Sequence, residues 1–360
     1  MSAAVHFPVP VGGTPLSADW VPSILFAVLY ATILPLTVYR MVNRRSRTLL
    51  LLGTVTFSIE RVIFFSLRAL QARNESKRLS LGLTAYMQSS IGMGFIGIAN
   101  DLVNLLRCLL VNPTFGSATY CQSPAASTKD CLIGPPPEGT HDAPRTRGQI
   151  RLGMNLLALA FLAATVPGII ANANYSNVVT RQGAADLTAR LRYISTAIIP
   201  ILGIVILFYA CWGVTHFPRI IKRGVNIIAS IILLMITVAI YRLAVMKFKV
   251  DSLISPSPLN KGTAKAAFYI FHVLPEWIAT LLLVGYNTRK TFGTGFIGDW
   301  RNKDETEKQR KKREVREAKK ALRKKEKLSG TVGNDGFGSR EYALEDLKKG
   351  NQITNVDTVA

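Results

Sequence analysis

The chain has 360 residues, of which 49% are hydrophobic, and a formal net charge of +22 at pH 7. It is too apolar for a disordered chain, and its apolar residues fall in runs too long for an ordinary soluble core. The basic excess calls for an anionic partner surface, and the apolar runs call for a membrane.

Seven stretches are each long enough to cross a bilayer: Val21 to Tyr39, Thr48 to Leu67, Leu83 to Leu106, Leu152 to Ala171, Tyr193 to Val214, Val225 to Met246 and Ala266 to Tyr286. The predicted fold class is all-α, a polytopic seven-transmembrane-helix bundle over residues 21–288. Residues 1–20 precede it, and a basic tail, 289–360, follows. No Lys or Arg precedes the first run, which is also longer than a secretory h-region, so it is expected to remain as the first span.

Arg40, Arg44, Arg45 and Arg47 follow the first span at once, which predicts an outside N-terminus and a cytosolic C-terminus. Loops 40–47, 107–151 and 215–224 are then cytosolic. The sequons Asn74-Glu75-Ser76 and Asn174-Tyr175-Ser176 fall in loops predicted outside, making Asn74 and Asn174 glycosylation candidates. Cys108, Cys121, Cys131 and Cys211 are expected to be free thiols, with Cys108, beside Arg107 at a span end, a palmitoylation candidate. The loop 112–147 holds Gly134-Pro135-Pro136-Pro137 and a Ser/Thr-rich stretch, so it is read as a flexible cytosolic connector.

Inside the spans, the small residues Gly92, Gly94, Gly97 and Ala99, and Ala160, Ala164 and Gly168, mark close helix contacts. Pro167, Pro200 and Pro275 predict kinks. The ionisable residues are more informative, because a charge at mid-bilayer costs about 3 kcal/mol or more and faces the bundle or water. Glu60 and Arg61 lie midway along span two, Arg242 follows Tyr241 in span six, and His272 and Glu276 sit one turn apart in span seven, before Trp277. Asp101 lies toward the inner end of span three. Two readings follow: Glu60, Arg61, Arg242, His272 and Glu276 form a polar core that binds a ligand or relays protons, with Asp101, Tyr241 and Trp277 secondary, or they form a structural ion-pair network.

No zinc-spaced histidines, nucleophile elbow or phosphate-cradling loop occur, and His6, His141, His216 and His272 are scattered. No enzymatic activity, cofactor or metal is expected. Arg301 to Leu328 is rich in Lys, Arg and Glu without Gly or Pro, which predicts a charged helix, with 329–360 disordered beyond it. A basic segment next to a membrane meets anionic lipid first, at about 1 kcal/mol per basic side chain. Lipid is therefore the expected partner and nucleic acid is not; loop 112–147 or the tail could dock a cytosolic protein. The location is the plasma membrane or an internal membrane.

The span-two sequence Ile59-Glu60-Arg61-Val62-Ile63-Phe64-Phe65-Ser66-Leu67-Arg68, the pair Tyr241-Arg242 and the run Tyr269 to Trp277 resemble motifs of the fungal lipid-translocating exporter family, named for resistance to aminocholesterol. Here Ile63-Phe64 stands where that family has Gly-Tyr, the arginine falls one residue late, and no glutamate follows Arg242 in span six. The resemblance implies a seven-helix bundle that handles lipid-like or amphipathic molecules in transport, translocation or membrane stress. A divergent seven-transmembrane receptor signalling through loop and tail is the competing reading, although span three ends without an Asp/Glu-Arg-Tyr triplet and span seven lacks Asn-Pro-x-x-Tyr. A structural membrane scaffold is the third.

Overall fold

The computed structural model describes residues 5–253, 255–301 and scattered positions between 303 and 322. The chain divides into two units, 1–303 and 304–360. In the second, the described positions between Lys308 and Leu322 are helical. The remainder of the tail helix predicted over 301–328, and all of 329–360, lie outside the described residues.

Among the described residues, seven helices are long and apolar enough to cross a membrane. They are α1 (Trp20–Val42), α2 (Leu52–Arg73), α3 (Leu81–Val111), α4 (Pro144–Ala173), α5 (Gln182–His216), α6 (Lys222–Val245) and α7 (Gly262–Gly285). Their outward faces carry large apolar side chains such as Leu156, Ile201 and Leu233, and Phe208 is 66% exposed. No aqueous surface accommodates such a belt, so the protein is a multi-pass membrane protein.

Successive helices are neighbours, and α7 returns to α1. α3 also touches α5, α6 and α7. Of the most apolar stretch of α3, 78% is buried, against 28% for α1, which makes α3 the central helix. Its small residues explain how it fits: a side chain at Gly94 would overlap the Arg61 guanidinium and the Phe57 ring. On α4, the Ala164 carbonyl accepts from Ser195 Oγ of α5 at 2.6 Å, the close approach that small residues allow.

Helix ends follow the local chemistry. Ser80 caps α3 by accepting from Leu83 N, and Pro144 opens α4, where its missing N–H has no partner to lose. α7 is not uniform, because Tyr269–Val273 forms a π-helical turn just before Pro275. Pro275 cannot donate back along the helix, and the widened turn absorbs that loss.

Two regions differ from the sequence reading. Residues 5–19, read simply as an extracellular segment, fold as a strap over one end of the bundle. There β1 (Phe7–Pro8) pairs antiparallel with β2 (Lys249–Val250), and Phe7, Val9 and Val11 are buried. The run Phe7-Pro8-Val9-Pro10-Val11 is apolar enough to seal that end, which we call the strap side; the opposite end is the tail side.

The loop read as a flexible connector also has defined structure, with short 3-10 turns at Asn112–Thr114, Tyr120–Gln122 and Pro124–Ser127. Asn112 Nδ2 donates to the carbonyls of Phe292 (3.0 Å) and Gly293 (3.1 Å), at the end of α8 (Thr288–Phe292), and Asn112 Oδ1 accepts from Ser123 Oγ (2.7 Å). Polar side chains satisfy loop backbone there in place of an apolar core, which composition alone does not reveal.

Candidate functional site

The central charge of the bundle is Arg61. It and Glu276 are each 1% exposed, and they meet across α2 and α7. Arg61 Nε donates to Glu276 Oε2 at 3.1 Å, and Nη2 donates to Oε2 at 2.9 Å and to Oε1 at 3.2 Å. Arg61 Nη1 donates to Glu60 Oε2 at 3.0 Å and to Ser90 Oγ at 2.6 Å. The guanidinium also lies over the Phe57 ring, 4.4 Å from its centroid. Such a fork is the strong form of a charge-assisted hydrogen bond, and the ring covers the face that donates nothing.

Glu60 reaches the same guanidinium from outside. Its side chain is 30% exposed, between the lipid-facing Ile59 and Ile63, and its Oε1 accepts from Tyr86 OH at 3.0 Å. Glu60, Tyr86 and Ser90 thus make a polar step between α2 and α3 that leads from the lipid face inward to Arg61 and Glu276.

On the inner side, the π turn of α7 aims His272 at the cluster. Its Nε2 stands 3.8 Å from Glu276 Oε1, about 0.6 Å beyond hydrogen-bond reach, and neither buried ring nitrogen has a hydrogen-bond partner. The ring stacks on Phe268 at 5.5 Å and faces Tyr241 at 6.1 Å. Tyr241 OH and Trp277 Nε1 are likewise buried and unpartnered.

Arg242 is 3% exposed and turns inward. Its Nη1 donates to the Ile91 carbonyl at 3.1 Å, Nε is 3.4 Å from Thr196 Oγ1, and the guanidinium covers Phe95 at 5.0 Å. Asp101 does not join this core. It accepts from the backbone N (3.0 Å) and Oγ1 (2.8 Å) of Thr54, tying α3 to α2 nearer the tail side.

The structure therefore brings Glu60, Arg61, His272 and Glu276 together and places Tyr241 and Trp277 around His272. Cys108, the palmitoylation candidate, is fully buried within α3. Asn74 is exposed, whereas Asn174 Nδ2 is held by the Ile170 carbonyl at 2.9 Å. Both lie on the strap side.

Three charged groups were not among the candidate site residues, because the sequence reading left them in loops or at span edges, Arg68 being noted only as part of the span-two motif. On the strap side, Arg68 Nη2 donates to Asp19 Oδ1 (2.8 Å) and to the Gly12 carbonyl (2.8 Å), while Lys265 Nζ meets Asp19 Oδ2 (2.7 Å). Arg192, just before the predicted fifth span, lies within α5 and donates to Gln88 Oε1 at 3.2 Å. On the tail side, Asp299 receives Arg107 Nε (2.9 Å) and Arg151 Nη2 (2.8 Å), fastening the chain after α7 to α3 and α4. A usable signal existed for the first group, since Asp19 and Lys265 flank apolar runs and a charge there requires a partner.

Comparison with protein-family models, curated proteins and solved structures finds no match. No family is assigned on that ground, so the chemistry of the site has to carry the functional reading. That chemistry consists of a buried ion pair, a carboxylate open to the lipid face and a neutral-capable imidazole with both nitrogens free. Among the described residues no group of three His, Cys, Asp or Glu is placed to hold a metal ion.

Proposed function

We propose that this membrane protein handles an amphipathic, lipid-like ligand, whose polar end leaves the bilayer at Glu60 and Tyr86 and is received by Arg61, Glu276 and His272. The observation that carries this reading is the exposure of Glu60. Arg61 already has a full carboxylate partner in Glu276, so the bundle does not need a second carboxylate at the lipid face, where an exposed charge costs about 3 kcal/mol. A site that accepts polar groups from the bilayer does need one.

His272 and Glu276 supply a proton donor and acceptor beside the bound headgroup, and a movement of about 1 Å brings them into contact. We assign the strap side to the outside and the tail side to the cytosol, following the basic flank of the first span. The basic tail then lies against anionic lipid, on the plasma membrane or an internal membrane. The motifs shared with the lipid-translocating exporters support the same class of ligand. In this reading the protein moves or binds its ligand without chemical conversion.

The test is lipid redistribution in proteoliposomes containing full-length protein and fluorescent phospholipid or sphingoid-base analogues. Wild-type protein makes inner-leaflet analogue accessible to a membrane-impermeant quencher, and an equally reconstituted Glu60→Gln variant does not. If every analogue behaves as in protein-free vesicles, the lipid reading fails. The receptor reading then leads, favoured by the built tail-side loop, in which Arg219 Nη2 holds the Gly134 carbonyl at 2.7 Å.

A further inference from the structure

The strap half and middle of the bundle hold more buried positive than negative charge. Arg61, Arg68, Arg192, Arg242 and Lys265 are buried there, whereas the carboxylates that meet them are Asp19, Glu60 and Glu276. Arg61 takes Glu276 and Glu60, and Arg68 and Lys265 share Asp19. Among the described residues, Arg192 and Arg242 have no carboxylate partner.

Their neutral contacts position them without neutralising them. Arg242 is held by the Ile91 carbonyl and Thr196 Oγ1, and Arg192 Nη2 by Gln88 Oε1. Arg192 Nη1 is buried with no acceptor. Thr196, which Arg242 contacts, lies one turn along α5 from Arg192, and Ile91 and Gln88, the α3 partners of Arg242 and Arg192, also lie one turn apart, so two like charges share one low-dielectric region between α3, α5 and α6. An unpaired buried cation carries a desolvation cost that only an opposite charge offsets well.

We propose that Arg192 and Arg242 form a binding site for an oxyanion, a phosphoryl or carboxylate group, beneath the strap. Two guanidinium groups supply planar forks matched to such an anion, which is why arginine suits this task better than lysine. A narrow crevice with room for about one water, lined by Pro10, Gly13, Thr14, Arg68 and Gln88, opens beside the site. Gln88 links the crevice to the site, because its Oε1 accepts both from Arg192 and, at 2.8 Å, from Val11 N of the strap. This site is separate from the Glu60 step and stands whether or not lipid is moved.

The test is thermal unfolding of full-length protein in phosphatidylcholine nanodiscs in chloride buffer free of oxyanions, with inorganic phosphate added or with phosphatidic acid in the bilayer. A saturable rise of about 3 °C or more is expected for wild type. Phosphate alone giving the rise identifies a free anion, phosphatidic acid alone a headgroup, and either supports the site. Arg192→Gln and Arg242→Gln lose the response and, in chloride without added oxyanion, unfold no lower than wild type, because each relieves the repulsion. Arg192→Lys, which keeps the charge, retains part of the response and serves if the Gln variants do not fold. The proposal is overturned if neither anion shifts wild type, or if the shift persists in both Gln variants, which assigns it to the basic tail.

Discussion

Arg61 and Glu276 lie face to face in the interior of the bundle, 2.9 Å apart at their closest, and join α2 to α7 with both side chains buried. Glu60 touches the same guanidinium from a half-open position. The two carboxylates therefore have unequal roles, and substitution separates them.

Arg61→Gln leaves Glu276 buried without its partner and is expected to cost about 3–5 kcal/mol, and Glu276→Gln, which leaves Arg61 only the partly exposed Glu60, about 3 kcal/mol, each seen as a large fall in the unfolding temperature. Glu60→Gln leaves the Arg61–Glu276 fork intact and, being partly exposed, is expected to cost about 1 kcal/mol or less. Thermal unfolding of the three purified variants in detergent checks this. A stable but inactive Glu60→Gln places function at the step, whereas equal losses in all three would make the cluster structural.

Gly94 and Gly97 lie on the same helix but in different surroundings. A Cβ at Gly94 overlaps Arg61 and Phe57, while a Cβ at Gly97 meets nothing within 4 Å. Gly94→Ala is expected to destabilise by about 1–3 kcal/mol and to displace the Arg61 fork. Gly97→Ala should be neutral or slightly stabilising, since alanine is the better helix former. Comparison of the two unfolding temperatures decides it.

The strap depends on a backbone conformation that alanine rarely adopts. Gly12 has φ +80°, its carbonyl accepts from Arg68 and Lys265, and a Cβ there would lie 2.9 Å from the Phe268 ring. Gly12→Ala is expected to cost about 1–3 kcal/mol and to release the strap. Limited proteolysis should then cut among residues 5–15 well before the helices, while the same protease leaves the wild-type strap intact.

On the tail side, burial pushes the Asp142 carboxyl up. Hydrogen bonds from Arg147, Thr119 and Gly116, with the Arg147 charge, outweigh this and hold it below the usual carboxylate range. A group with a lowered folded pKa stabilises above its unfolded pKa, about 3.9, and that contribution disappears as pH falls through the folded value. The difference in unfolding temperature between wild type and Asp142→Asn should therefore be constant from about pH 7 to pH 5 and shrink below pH 4. A difference independent of pH down to 3 would show that Asp142 acts only through its shape.

The span count and the helical class were legible in the sequence, because lipid demands about twenty apolar residues per crossing, and each charge inside an apolar run, Glu60, Arg61, His272 and Glu276 among them, stood out. Which charges meet was not legible. Neighbouring residues Glu60 and Arg61 face the lipid side and the core respectively, a difference of helical phase that sequence depth does not carry. Nor could composition distinguish a built loop from a mobile one, since Asn112 and Arg147 order residues 112–147 through hydrogen bonds to distant backbone and to Asp142. The apolar runs by themselves determined that this is a seven-helix membrane protein, because burying backbone in lipid leaves few alternatives. Only the tertiary structure decided that Arg61 is the hub, that Arg192 lies inside a helix and that residues 5–19 close one end, because helix rotation and long-range polar pairing are settled by packing.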